Sequence, residues 1–411
     1  MTPYTILSVL IVIAAFFAYI NHRLIKLPSA IGLMVLALIS SFALMGVGVI
    51  FPATVMHLKL ILSSIDFSEL LMGSMLSFML FAGAIHININ LLKQERLSVI
   101  VFSTFSVVIS TFIIGITIYY LLGYFNVQAN FIYCLLFGSL ISPTDPIAVI
   151  GILKEAKISK SLEMKIAGES LFNDGVAVVV FLTILQVAEA PGNVQFSDVA
   201  FLFLREAVGG MILGIAIGYI GFVLMRSIDN YKVEVLITLA VVMGGYSLAN
   251  LLHISGPLAM VAAGIIIGNH GKEFAMSDTT IEYIDKFWEL IDETLNAILF
   301  VLIGLELLII NFIPTYILIG LLTIIIALLT RYISVLLPAQ IIKLKEEITH
   351  RTIIIMTWGG LRGGISIALA LSLKPEMQKE LWVTLTYFVV AFSILVQGLT
   401  VGKLAKRLNQ D

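Results

Sequence analysis

Apolar blocks, most of them 17 residues or longer, follow one another along nearly the whole of this chain. A block of that length crosses the hydrocarbon core of a bilayer as a helix, the only open segment that bonds all of its own backbone polar groups there. Repetition from end to end leaves no room for a separate soluble domain. The expected fold is therefore an all-α polytopic membrane protein. Only 12% of the 411 residues are charged, and the mean hydropathy is +1.07, well away from a soluble composition. The net charge of -2 indicates no particular partner, and neither a nucleic acid nor a cofactor is expected. The first block, 4–20, has no basic segment before it and runs straight into further spans, so it reads as a retained helix and not a secretory leader.

The spans fall at 4–20, 28–51, 68–91, 97–122, 129–152, 163–187, 200–226, 232–252, 255–269, 287–310, 313–342, 350–373 and 380–405, thirteen in all. Eighteen lysines and arginines lie in one set of alternate loops, and only Lys59, Arg205, Lys374 and Lys379 in the other. The positive-inside rule then places the N-terminus outside and the C-terminus in the cytoplasm. Arg331 and Arg362 belong to neither set, since both lie within apolar blocks.

Two spans cannot be regular helices. Ser142-Pro143-Thr144-Asp145-Pro146 interrupts the fifth with two prolines, which remove backbone donors and push the residues before them away from helical angles. Trp358-Gly359-Gly360-Leu361-Arg362-Gly363-Gly364 interrupts the twelfth with four glycines around an arginine. Spans one to six and eight to thirteen form two six-helix halves, inverted by the single linker span 200–226, and each break falls in the fifth member of its half. Inverted repeats with matched discontinuous helices indicate a secondary transporter whose site lies where the breaks cross at mid-membrane.

Between the breaks runs Gly168-Glu169-Ser170-Leu171-Phe172-Asn173-Asp174-Gly175, which puts two acids, an amide and a hydroxyl at membrane depth. Ser170 and Asp174 are four residues apart, as are Glu169 and Asn173, so about one helical turn carries them all on one continuous side. That side must face protein or water, because a charge facing lipid costs several kcal/mol. Asp174 is the candidate exchange group. A carboxylate in this setting needs a proton or a small cation to neutralise it, and either one expels the other. Hard alkali cations require oxygen ligands, and Ser170 and Asp174, with Thr144 and Asp145 of the unwound fifth span, supply hydroxyl, carboxylate and freed carbonyl oxygens. Asp145 and Arg362 either balance the dipoles of the four half-helix ends or serve as architecture. Glu169 calls for a buried cation, Arg362 or Arg331, in a pair holding the fifth, sixth and twelfth spans in register. Asn173 caps a broken end, adjusts the neighbouring carboxylate, or simply packs.

The remaining polar residues have plainer readings. The six histidines, His86 among them, are scattered singly near span ends and form no soft-metal cluster. Cys134 reads as a packed core thiol. Glu206, Glu234, Glu289, Asp292, Glu293 and Glu306 lie mostly near predicted ends, where solvation is expected.

The three motifs, in this order in spans five, six and twelve, resemble those of the sodium/proton exchangers of the monovalent cation:proton antiporter family, in the NhaP-like bacterial branch. The resemblance covers essentially the whole chain. It implies a multi-pass protein of the cell inner membrane, serving pH homeostasis, that is a homodimer. A core bundle (97–187 and 313–405) is expected to move as an elevator against a dimerisation scaffold (4–91 and 200–310). It further implies Asp174 as the exchanged carboxylate, Thr144, Asp145 and Ser170 at the Na+ site, and Glu169 paired with a buried arginine. The Asn173-Asp174 pair implies electroneutral exchange of one cation for one proton. Many relatives carry an acid in the third span where this chain has Ala82, which leaves Na+, Li+ and K+ all open as cargo. No long regulatory tail is expected beyond Asp411.

Two rivals share single features with this reading. An intramembrane aspartyl protease also sets two aspartates on neighbouring helices, but typically within Gly-x-Gly-Asp, whereas Asp174 follows Phe172-Asn173. A cation channel also uses intramembrane acids, but two crossing broken helices around one titratable site suit alternating access better than a continuous pore.

Overall fold

The protein is described by a computed structural model covering residues 3–50, 67–145, 147–155, 158–189, 196–308, 310, 313–342 and 348–410. Lys59, Pro146, Lys157, Lys343, Lys345 and Asp411 lie outside these ranges. The described chain is helical almost throughout. Its main helices are α1 (Pro3–Ile20), α2 (Ser29–Ile50), α3 (Leu76–Ile85), α4 (Arg96–Tyr124), α5 (Phe131–Ile141), α6 (Ile147–Glu155), α7 (Lys160–Glu189) and α8 (Phe196–Arg226). They continue with α9 (Tyr231–Leu252), α10 (Gly256–Ile266), α11 (Asp278–Glu306), α12 (Pro314–Ile342), α13 (His350–Trp358), α14 (Gly364–Ser372), α15 (Lys379–Phe392) and α16 (Gly398–Gln410). Among the described residues, eight helices are long and apolar enough to cross a membrane. Helix starts follow local chemistry: Asn230, Ser255, Ser277 and Thr349 each accept a hydrogen bond from a first-turn amide of α9, α10, α11 and α13, satisfying donors a helix leaves open.

Both expected breaks are present, between α5 and α6 and between α13 and α14. The Asp145 amide donates to the Leu361 carbonyl at 2.8 Å, an isolated antiparallel bridge that ties one break to the other. Two glycines permit this approach. A Cβ on Gly360 would stand 2.6 Å from Arg331 Nε, and one on Gly363 would stand 2.5 Å from Asp145 Oδ2.

The helices sort into two packed groups. In one, α4, α5, α7, α12, α14 and α15 pack chiefly on each other; in the other, α1, α2, α3, α8, α9, α10 and α11 do. The groups meet where α7 touches α8 and α10, and where α14 touches α11 and the turn leading into α3. Within the first group α4 carries buried Ser103, Ser106, Ser110 and Thr111, and Ser106 Oγ donates to the Ser334 carbonyl of α12 at 2.6 Å.

Three acids expected to be solvated are buried instead: Glu206, Glu234 and Glu306. Proximity to a helix end does not guarantee water, because neighbouring elements fold over those ends. Glu234, in the first turn of α9, accepts from the Asn230 amide at 2.9 Å and the Thr280 hydroxyl at 3.2 Å. Glu289 and Glu293 are exposed and Asp292 is half-buried, its carboxylate bonded by Asn296 Nδ2 at 3.0 Å. Cys134 is fully buried. His86 is exposed, 3.6 Å from Asp285, which Lys272 contacts at 2.5 Å.

Candidate functional site

Helix α7 runs unbroken past the point where the breaks meet, and Glu169, Ser170, Asn173 and Asp174 are all buried on it. Their spacing divides them between two tasks. Glu169 and Asn173 turn into the protein and hold neighbouring elements, while Asp174 faces open space.

Glu169 is 1% exposed and is gripped by Arg331 of α12, with Nη1 to Oε1 at 2.5 Å and Nη2 to Oε2 at 3.0 Å. Nη2 also donates to the Met356 carbonyl of α13 at 3.2 Å. The pair therefore links the sixth, eleventh and twelfth spans, and the fifth takes no part in it. Arg362 does something else: its Nη1 donates to the carbonyls of Ser142 at 2.6 Å and Pro143 at 3.0 Å. Those carbonyls lie at the end of α5, where a helix leaves its last carbonyls without partners of its own. A fixed cation there also offsets the negative end of the half-helix. The sequence left open which arginine served which acid, and packing assigns them separate tasks.

Asn173 spans to the unwound residues. Its Oδ1 accepts from the Thr144 amide at 3.2 Å and its Nδ2 donates to Thr144 Oγ1 at 2.8 Å. The Thr144 and Ser170 hydroxyls are bonded to each other at 3.0 Å. Thr144, Ser170 and Asn173 thus form one closed buried cluster.

Beside this cluster lies a cleft of about 550 Å³, lined by Pro143 and Asp145 of one break, Gly363, Gly364 and Ser366 after the other, Leu76, Met79, Leu80 and Gly83 of α3, Leu171 and Asp174 of α7, and Leu299 of α11. Asp145 and Asp174 therefore share one space, whereas Thr144 and Ser170 do not line it. Asp174 is 7% exposed, and among the described residues no hydrogen bond holds its carboxylate. The third span contributes only apolar side chains and a glycine to the wall, and Ala82 is buried.

One wall residue escaped the sequence reading. Ser366 is 1% exposed, and its Oγ has no hydrogen-bond partner among the described residues. The available signal was its place in the first turn of α14, directly after the glycine break. Chemically, the cleft offers two carboxylates and a hydroxyl that has no partner among the described residues. Such a set suits a small hard cation or a proton; among the described residues no cluster of three or more histidine, cysteine or acidic side chains could hold another metal.

Comparison with known proteins bears on the whole chain. The profile of the transmembrane sodium/hydrogen exchanger family matches residues 11–407. The Na(+)/H(+) antiporter NhaP of Pseudomonas aeruginosa is 48% identical over 98% of this chain and 96% of its own length. The Na(+)/H(+) antiporter NhaH of Halobacillus dabanensis is 31% identical over 94% of this chain and 93% of its own. In fold, the sodium proton antiporter MjNhaP1 of Methanocaldococcus jannaschii at pH 8 superposes with a TM-score of 0.77 at 20% identity, covering 99% of each chain.

Proposed function

The chain belongs to the sodium/hydrogen exchanger family, and from that premise we propose that it exchanges a monovalent cation for a proton at Asp174, one for one and without net charge movement. Na+ and Li+ are the expected cargo, with K+ admitted by the apolar third-span wall. The observation that carries this reading is the placement of Asp174: buried, held by no hydrogen bond among the described residues, and facing a cleft it shares with Asp145. A structural acid at such depth is held by donors, because an unpaired buried charge is costly. A carboxylate left without them is kept for a ligand that comes and goes.

Proton and cation satisfy the same group, so occupancy by one excludes the other. Carrying a bare carboxylate past the apolar wall is unfavourable, and movement follows when either ligand is bound. Asp145 lends a second charge to the cation. Thr144 and Ser170 lie one layer behind and supply oxygens when their mutual hydrogen bond opens. The sorting of the helices into two groups supports a core bundle at 97–187 and 313–405 moving against a scaffold at 4–91 and 200–310, because the helices touch less between the groups than within them. Loop charge supports an outer N-terminus and thirteen spans, and the family resemblance supports a homodimer in the cell membrane.

The experiment is proton flux in vesicles reconstituted with purified protein and driven by a Na+ or Li+ gradient. Asp174→Asn should abolish exchange while insertion and elution volume are preserved, and an imposed membrane potential should leave the wild-type rate unchanged. Exchange retained by Asp174→Asn overturns the assignment.

A further inference from the structure

A second cavity, of about 1080 Å³, lies where the end of α11 meets the segment joining α14 to α15. It shares no lining residue with the Asp174 cleft. Glu306, the last residue of α11, lines it with 4% of its surface exposed, and its Oε2 is buried without a hydrogen-bond partner among the described residues. Gln378, also in the lining, has a second buried oxygen, Oε1, that lacks a partner among the described residues. The orientation of that amide is fixed, because Nε2 donates to the Gln128 carbonyl at 2.7 Å. The Thr384 hydroxyl, also in the lining, donates its proton to the Glu380 carbonyl at 2.7 Å.

Two acceptors in this lining are thus left over, and its one cationic side chain, Lys379, bonds neither of them among the described residues. The surplus coincides with the C-terminus of a 29-residue helix, whose dipole makes a carboxylate there more costly still. Two unbonded buried acceptors in negative potential call for a positively charged ligand. A single buried carboxylate with neutral oxygens balances one charge and offers too few acids for a tightly held divalent ion.

We propose that this cavity is a second, weak alkali-cation site built on Glu306 and Gln378. The ion retains part of its water, since the volume far exceeds a bare cation. Lys379 and Glu380 also line the cavity; Lys379 makes no ion pair among the described residues and acts as a tethered competitor for the same negative potential. With the orientation proposed above, the site opens to the outer face and lies where one helix group abuts the other. It would hold cation at the boundary that movement must cross. The side of the membrane rests on that reading, whereas the site itself does not.

The test uses the full-length purified chain carrying Asp174→Asn, which removes the exchange site, with ²²Na+ binding displaced by unlabelled Na+. One displaceable site should remain. Adding Glu306→Gln should weaken it roughly tenfold or more, Gln378→Leu several-fold, and Lys379→Gln should tighten it a few-fold. Absence of displaceable binding in Asp174→Asn protein, or binding unmoved by Glu306→Gln, overturns the proposal. If Glu306→Gln does not fold, the half-exposed Lys379 decides instead: unchanged affinity in Lys379→Gln is equally fatal. Failure of the exchange assignment is separate, because it appears as proton flux by Asp174→Asn and not as binding.

Discussion

Arg331 holds Glu169 with both terminal guanidinium nitrogens, at 2.5 Å and 3.0 Å, across 162 positions of sequence and in a place where neither side chain is more than 4% exposed. A two-pronged pair in low dielectric fixes the angle between α7 and α12 as well as their distance. That angle sets where Asp174, five residues further along α7, presents its carboxylate.

Removing one partner of this pair strands the other as a buried charge. Glu169→Gln or Arg331→Ala should each destabilise the protein by about 3–5 kcal/mol. The double substitution Glu169→Gln with Arg331→Gln should cost less than the sum of the single effects, because no unpaired charge remains. Thermal unfolding in detergent measures this, and single variants that melt like the wild type would contradict the role given to the pair.

Arg362→Ala should expose a different weakness. It leaves the Ser142 and Pro143 carbonyls buried without the donor they have now, each at a cost of about 1–3 kcal/mol. The first break should loosen, lowering both melting temperature and exchange rate. Equal stability with normal exchange would show that the carbonyls find other donors.

Asn173→Ala removes both bonds to Thr144 while leaving Asp174 in place. The half-maximal Na+ concentration for exchange should rise roughly three- to tenfold, as one or two modest hydrogen bonds are lost, with a smaller effect on the maximal rate. A fall in maximal rate at unchanged half-maximal concentration would place Asn173 in the movement and not in the site.

Competition fixes a sign for pH. Binding a cation to a protonated carboxylate releases the proton, so lowering the pH favours the competitor and weakens the apparent cation affinity, by at most about tenfold per pH unit for one proton. The half-maximal Na+ concentration should therefore climb as the medium is acidified and level off in alkaline medium. Half-maximal concentrations that are flat across that range would exclude competition at a single group.

Several of these relationships were legible along the chain. The prolines of Ser142-Pro143-Thr144-Asp145-Pro146 and the glycines around Arg362 announce their breaks because they act on their own backbone. Burial of Glu169, Asn173 and Asp174 follows from their setting within a long apolar helix. Other features were hidden. Nothing near Arg331 or Arg362 in sequence says that the first meets Glu169 and the second meets two carbonyls. Glu306 and Glu234 look solvated by position, and only the segments folded over them remove the water. Thr144 and Ser170 were placed at the cation by their chemistry, yet they bond each other and stand outside the cleft, while Ser366 lines it.

The sequence by itself determined that this chain is a bundle of membrane helices with two interruptions and a line of polar groups between them, because hydropathy, proline, glycine and helical spacing act locally. Tertiary structure alone decided which polar group is paired, which is capped and which is left facing open space. Those outcomes depend on distances between residues 29 to 220 positions apart, which no local preference encodes.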